Sequence, residues 1–423
     1  MREDTTNRKE RVLEKRGPVK IYLDDRGYLP VYSLITRSSS ENGSMEAYGD
    51  IGPLLSDDNL EEIMYNGEEK CVKVYHRKYG MCDTNIFITE GEIIEVIDHI
   101  AALVGKTIDS SSPFLDARLE DGSRLNATIP PASPYGPTLT IRKFLKNPLT
   151  IISLIKNRTI NPRVAAFLWM CVDGLDYKPA NLIVSGGTGS GKTTFLNALA
   201  VFIREGTRLV TIEDTTELQL MHEHIVRLET IPPGRDGTME ISMDTLLKNS
   251  LRMRPDRIIV GEVRGSEAVT MFTAMNTGHD GCMGTLHANT AKETATRLMS
   301  PPMNVAPIML TALDLLVVME RKTVDGKTVR KITEISEIAG LEKDRPRMNN
   351  LYKWDPATNL LKSTGVPSRL RERISRAVGI DLKKFDEIQA RRERLLKHLV
   401  TKDQSDMLAV SGTIQKHYFR SGK

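Results

Sequence analysis

The sequence predicts an α/β chain in which a core built on a parallel sheet follows a smaller α+β domain and precedes a helical C-terminal segment. Three observations predict it. Apolar β-runs at 182–184, 209–212, 257–260 and around 284–286 alternate with helical stretches, the pattern of parallel strands covered on both faces. Between about 55 and 145, short apolar–polar segments such as Val72-Lys73-Val74-Tyr75-His76 surround a helical stretch over 90–104. There Ile93, Ile94, Ile97, Ile100, Ala101 and Val104 recur at spacings of three, four and seven. From about 366 to 404 the chain becomes helical and basic, with Arg369, Arg371, Arg373 and Arg376 followed by Arg391, Arg392 and Arg394.

Each element has its place in that order. Residues 1–54 read as a charged, weakly ordered lead-in ending near a Ser/Gly-rich joint at 38–44, with few apolar residues in any period. An α+β N-terminal domain is expected over 55–146 and a linker over 147–162, punctuated by Asn147-Pro148 and Asn161-Pro162. The core spans 163–345, opening with a helix over 164–172, and a basic helical region fills 346–423. Ten of the 18 methionines fall between Met239 and Met319, and they read as core or interface filling.

Composition excludes several classes. At 423 residues, with 40% apolar and 27% charged residues, the chain is globular and long enough for two to three domains. A net charge of +4 argues against a dedicated nucleic-acid wrapper. The four cysteines contain no CxxC pair, which argues against a disulfide framework and a zinc knuckle. The polar first ten residues carry no signal-peptide core, and the longest apolar run, 165–172, is far short of the roughly 20 residues a membrane span needs. Membrane attachment is therefore expected to come through a partner or a surface contact.

One stretch carries most of the chemistry. Gly186-Gly187-Thr188-Gly189-Ser190-Gly191-Lys192-Thr193 matches the P-loop pattern between an apolar strand and a helix. Glycines let consecutive N–H groups curl around an anion, and the following helix adds its positive end. The nucleotide-binding set is then Gly187, Thr188, Gly189, Ser190, Gly191, Lys192, Thr193 and Thr194, with Lys192 on the β- and γ-phosphates and Thr193 in the Mg²⁺ shell. Glu213 and Glu262 end two of the apolar runs, and either carboxylate suits a base or a metal ligand. A common P-loop enzyme has an aspartate where Gly261 stands, which leaves Glu262 alone at that strand tip. His279 and His287 lie in a Gly-rich segment at another strand end, and a histidine there suits sensing of the γ-phosphate.

In order, the P-loop, the acidic segment 211–220, the Gly261-Glu262 strand end and the His segment 278–289 resemble the ATPases of type II secretion, type IV pili and archaella. Within that group the archaeal and Tad-like branch is the most similar, and the likeness extends upstream through 116–126 and 138–144, covering roughly 55 to 345. The resemblance implies a RecA-like P-loop NTPase core, ATP and Mg²⁺ as cofactors, and a hexameric homo-oligomer. It further implies Glu213 as the water-orienting base, with Asp214 the alternative, Glu262 supporting the metal directly or through water, and His287 on the γ-phosphate side. Arg118, Arg124 and Arg142 become arginine fingers, while Arg252, Arg254 and Arg264 are further candidates for the same interface. The expected location is cytoplasmic, peripheral to the membrane through an integral-membrane platform protein, with pilin-like subunits as indirect partners and no direct nucleic-acid contact. Two rival functions are a DNA-transfer or DNA-uptake ATPase and a nucleotide-sensing scaffold that does not hydrolyse.

Overall fold

The computed structural model describes residues 10–23, 29–35, 46–144, 147–233, 239–324 and 327–421. The chain divides into two compact units, Met1–Lys146 and Asn147–Lys423.

The first unit runs β1 (Arg11–Arg16), β2 (Val19–Leu23), β3 (Val31–Leu34), a short α1 (Gly52–Ser56), β4 (Leu60–Tyr65), β5 (Lys73–His76), β6 (Gly80–Thr84), α2 (Glu90–Leu103), β7 (Phe114–Arg118), β8 (Arg124–Thr128) and β9 (Thr138–Arg142). Among the described residues, nine strands form one sheet in the order β1-β2-β3-β6-β5-β4-β9-β8-β7. Helix α2 starts on a reciprocal cap: the Glu92 amide donates to Thr89 Oγ1 at 3.3 Å and the Thr89 amide to Glu92 Oε2 at 2.8 Å. It buries Ile93, Val96, Ile97, Ile100 and Ala101 in the unit's core, whereas Ile94 lies off that face and is exposed.

The lead-in reading of 1–54 is corrected by β1–β3. Val19, Ile21 and Tyr32 alternate into the core, but with so many charges between them the period is too short to stand out. The Ser/Gly joint at 38–44 lies outside the described residues.

The second unit contains α3 (Ile151–Lys156), α4 (Pro162–Asp173), β10 (Leu182–Gly186), α5 (Lys192–Ala200), β11 (Leu209–Glu213), β12 (Ile225–Glu229), α6 (Met243–Ser250), β13 (Arg257–Val260), α7 (Glu267–Asn276), β14 (Met283–Leu286), α8 (Ala291–Met299), β15 (Leu315–Val324), β16 (Lys327–Glu342), β17 (Arg345–Asp355), β18 (Leu360–Ser363), α9 (Arg369–Val378), α10 (Leu382–Thr401) and α11 (Met407–Ser421). Its sheet has the order β12-β11-β13-β14-β10-β15-β16-β17-β18. The first six strands of that order are parallel and the rest antiparallel. Their continuous apolar sequences follow from burial on both faces: every residue of β10, β11, β13 and β14 is buried.

Two further expectations change. The stretch 147–162 is no free linker, because Ile151, Ile152, Leu154 and Ile155 of α3 belong to the second unit's core. The Asn-Pro signal at 161–162 is a helix start instead: Asn161 Oδ1 accepts from the Val164 amide at 2.9 Å, with Pro162 in the first turn. The region after 346 first completes the sheet through β17 and β18 before turning helical, since strand pairing tolerates the polar alternation of 345–355. Among the ten clustered methionines, Met243, Met271, Met275, Met283, Met303 and Met319 are buried, as core filling requires, while Met239 is exposed.

The C-terminal helices are bound into this core despite their basic sequence. Leu370, Ile374, Phe385, Leu396, Leu399, Val410, Ile414 and Tyr418 pack into the cluster that holds Trp169. Arg392 is buried, and its Nη1 and Nη2 donate to Asp173 Oδ1 and Oδ2 at 2.9 and 2.6 Å. Its guanidinium lies 4.8 Å from the Trp169 ring centre, and that ring stacks on Phe202 at 4.9 Å. Among the described residues no helix is long and apolar enough to cross a membrane.

Candidate nucleotide site

The site gathers at the C-terminal ends of β10, β11, β13 and β14, where an open α/β sheet places ligands. β10 runs straight into the P-loop, whose Gly189 and Gly191 take φ of +68° and +92°. At Gly186 the constraint is space: a Cβ there would stand 2.3 Å from the Met319 carbonyl oxygen and 2.5 Å from Ser190 Oγ. Ser190 Oγ is itself buried and has no hydrogen-bond partner, a hydroxyl in the loop left for a ligand. An anion fits this cradle.

Lys192 opens α5 and folds back over the loop. Its Nζ donates to the Gly187 carbonyl at 3.1 Å and lies 3.4 Å from both ring nitrogens of His287. His287 Nε2 is 3.0 Å from Glu262 Oε1. Glu262 Oε2 accepts from Arg264 Nη2 at 2.8 Å, and Arg264 Nη1 reaches Asp214 Oδ2 at 3.3 Å. One chain of polar contacts thus joins the P-loop lysine, the His segment, the Gly-Glu strand end and the acidic segment. Burial and the Lys192 charge press the His287 pKa below its ordinary value, so the ring is neutral at pH 7. With Glu262 accepting from Nε2–H, Nδ1 is left to accept from Lys192. Burial raises the Glu262 pKa, but the Arg264 hydrogen bond, with His287 and Lys192 nearby, outweighs it and holds Glu262 ionised.

Local structure fixes these side chains. Glu267 Oε1 accepts from the amides of Arg264 and Gly265 at 2.5 and 2.7 Å, ordering the turn that carries Glu262. Thr290 caps α8 through the Glu293 amide at 3.0 Å, and Arg297 donates to the His287 carbonyl, which together set the His287 loop.

Glu213 and Asp214 separate clearly. Glu213 is buried, and its Oε1 accepts from the amides of Glu217 and Leu218 at 2.9 and 3.1 Å, shaping the acidic segment behind β11. Asp214 is exposed and faces Arg264. The glycine at 261 has a steric cause: a Cβ there would stand 2.8 Å from Glu213 Cγ, so an aspartate at that position and this Glu213 conformation exclude each other.

Arg118, Arg124 and Arg142 all lie in the first unit, and the sheet register brings them together. Arg118 pairs with Arg124, Arg124 with Arg142, and Arg142 with Glu62, one lateral row across β7, β8, β9 and β4 on one face. Like charges directly opposite one another work against a sheet, and here Glu62 stands at the end of the row beside Arg142. The sequence motifs do not disclose this alignment, because it depends on strand register. Also beyond the motifs are the Arg264–Asp214 contact and Arg330, whose Nε donates to the Gly189 carbonyl at 3.0 Å. Thr188 and Gly189 are exposed at the loop tip, while Thr193 and Thr194 are half-buried in the first turn of α5. Arg254 adopts a left-handed conformation with φ of +52°, just before β13.

Fold and loop together define a P-loop nucleotide-binding protein with a RecA-like core, a smaller α+β N-terminal domain and C-terminal helices. The family model described as type II/IV secretion system protein matches residues 48–409, and the chain belongs to that family. An uncharacterised protein of Methanocaldococcus jannaschii is 54% identical over 232 residues, 54% of this chain and 32% of that protein. The chain therefore spans about a third of that relative's length. The probable conjugal transfer protein TrbB of Sinorhizobium fredii is 32% identical over 306 residues, 70% of this chain and 89% of that one. Among solved structures, the Yersinia pseudotuberculosis ATPase DotB aligns over 89% of this chain and 94% of its own with a TM-score of 0.50 at 16% identity, a likeness of fold.

Proposed function

We propose that the chain is a Mg²⁺-dependent ATPase that works as a ring-shaped motor for a filament-assembly or secretion machine. The observation that carries this reading is the contact chain from Lys192 through His287 and Glu262 to Arg264, set at the mouth of a glycine cradle with an orphaned hydroxyl. In this reading Gly187, Thr188, Gly189, Ser190, Gly191, Lys192, Thr193 and Thr194 hold ATP. Mg²⁺, held by Thr193 with Glu262 behind it, supplies charge neutralisation at the phosphates.

The residues divide the work. Lys192 exchanges its bonds to Gly187 and His287 for phosphate oxygens, and the freed His287 registers whether a γ-phosphate is present. Glu213 orients the attacking water. The first unit's arginine row delivers charge to the phosphates of its own or a neighbouring subunit, which couples hydrolysis to movement. The ring is a hexamer on the cytoplasmic side of the membrane, attached through a polytopic platform protein that passes the work to pilin-like subunits.

The test is turnover. Purified protein with ATP and Mg²⁺ is expected to release phosphate, and Lys192→Ala to lower that rate at least about 100-fold with an unchanged thermal midpoint. Turnover that survives Lys192→Ala sinks the reading, and a wild type without turnover favours the non-hydrolysing scaffold. The conjugal transfer name of the Sinorhizobium fredii relative favours a second reading, a DNA-transfer ATPase. That reading requires single-stranded DNA to stimulate the rate with strong salt dependence.

A further inference from the structure

The β15–β16 hairpin outruns the central strand beside it. β15 pairs with β10 from Leu182↔Leu315 to Gly186↔Met319, where β10 gives way to the P-loop, yet β15 continues to Val324. Residues 320–324 therefore flank the loop. β16 returns along them with Glu320 opposite Lys331 and Arg321 opposite Arg330. Of the cations here, Lys331 is buried and donates to the Arg158 carbonyl at 2.6 Å, and Lys322 pairs with Glu320 at 2.5 Å.

The two arginines meet the loop. Arg330 Nε donates to the Gly189 carbonyl at 3.0 Å, and Arg330 Cδ lies 3.3 Å from where a Cβ on Gly191 would stand. Arg321 Nη1 lies 3.9 Å from the corresponding point on Gly189. A pair of like charges directly opposite across a ladder works against the sheet. What both arginines share is their place beside the P-loop.

We propose that Arg330, with Arg321 opposite it, is a positioning residue of the nucleotide site, pinning the P-loop tip from outside and adding positive charge beside the phosphates. The inference rests on the ATPase reading above. A glycine-rich loop loses more conformational freedom on ordering than any other, and a guanidinium already bonded to its carbonyl removes part of that cost before the ligand arrives. The same bond polarises the Gly189–Ser190 peptide, whose N–H faces the Gly187 carbonyl inside the turn at 3.3 Å.

The experiment measures Mg-ATP steady-state kinetics and titrates a fluorescent ATP analogue on the full chain, comparing wild type, Lys192→Ala, Arg330→Ala, Arg330→Lys and Arg321→Ala. Arg330→Ala is expected to raise both KM and the analogue's Kd about tenfold, with kcat changed less than about threefold and the ligand-free thermal midpoint unchanged. Arg330→Lys recovers part of the affinity, because an ammonium keeps the charge and one donor while losing the planar fork. A KM and Kd for Arg330→Ala within twofold of wild type overturn the proposal. Should Arg330→Ala not fold, Arg321→Ala decides: a rise in Kd of about threefold supports the proposal and an unchanged Kd overturns it. Absence of Lys192-dependent turnover in the wild type would remove the ATPase reading, and the analogue titration would still judge Arg330.

Discussion

Two charged clusters in the second unit obey opposite rules. The Arg392–Asp173 pair is dry, with side-chain exposures of 3% and 0%, and its contacts are bidentate. The chain from buried Lys192 to Asp214 is open to solvent at its other members, with Arg264 64% and His287 32% exposed, and it includes contacts of 3.3 and 3.4 Å. The first cluster pairs both terminal nitrogens of Arg392 with the two Asp173 oxygens and ties α10 to α4. The second gathers its charges at strand ends, in contacts of 2.8 to 3.4 Å. The anchoring charge is buried in a bidentate pair, whereas the cluster beside the P-loop keeps partly exposed members.

The largest expected effect breaks the anchor. Arg392→Ala leaves Asp173 charged and buried, and should cost about 3–5 kcal/mol of stability, read from the urea midpoint. Replacing both partners by apolar residues of similar volume should be close to neutral. A single substitution that proves harmless would show that the pair does not tie the helices to the core.

A pH titration sharpens the same contrast. His417 packs edge-on to Trp169 at 5.4 Å. Burial, with Arg392 and Arg391 nearby, presses its pKa down to about 4. The unfolded chain therefore takes up this proton first, and the contribution is complete above pH 6.5 and lost as pH falls from 6.5 towards about 4. Unfolding midpoints across that range should decline in the wild type and decline less in His417→Gln. Equal slopes would remove His417 from the account.

The smallest effect on stability belongs to the site. Arg264→Gln should cost less than about 1 kcal/mol, as exposed pairs do, while ATP turnover falls, because Glu262 loses the hydrogen bond that orients its carboxylate. A large loss of stability with normal turnover would erase the distinction between the two clusters.

Much of the site was legible because its chemistry is local. The P-loop is eight consecutive residues whose glycines answer to backbone geometry, and Glu213, Glu262 and His287 stand at strand ends marked by apolar runs. Long-range pairing was not legible. Strands β1–β3 hide their alternation among charges, and Asn161-Pro162 has the same local signature whether it begins a core helix or interrupts a linker. Arg330 sits in no motif, and its contact with Gly189 spans 141 positions of sequence.

By itself the sequence determined the class of core, the anion cradle and the residue types around it, since turns, caps and hydrophobic periods act over a few residues. The tertiary structure decided which charges meet: the arginine row across β7, β8 and β9, the link from Lys192 to Glu262 through His287, and the burial of Arg392 in a helix that reads as basic surface. Strand register and helix packing bring residues together across the chain, and those distances are set by the whole core rather than by any segment of it.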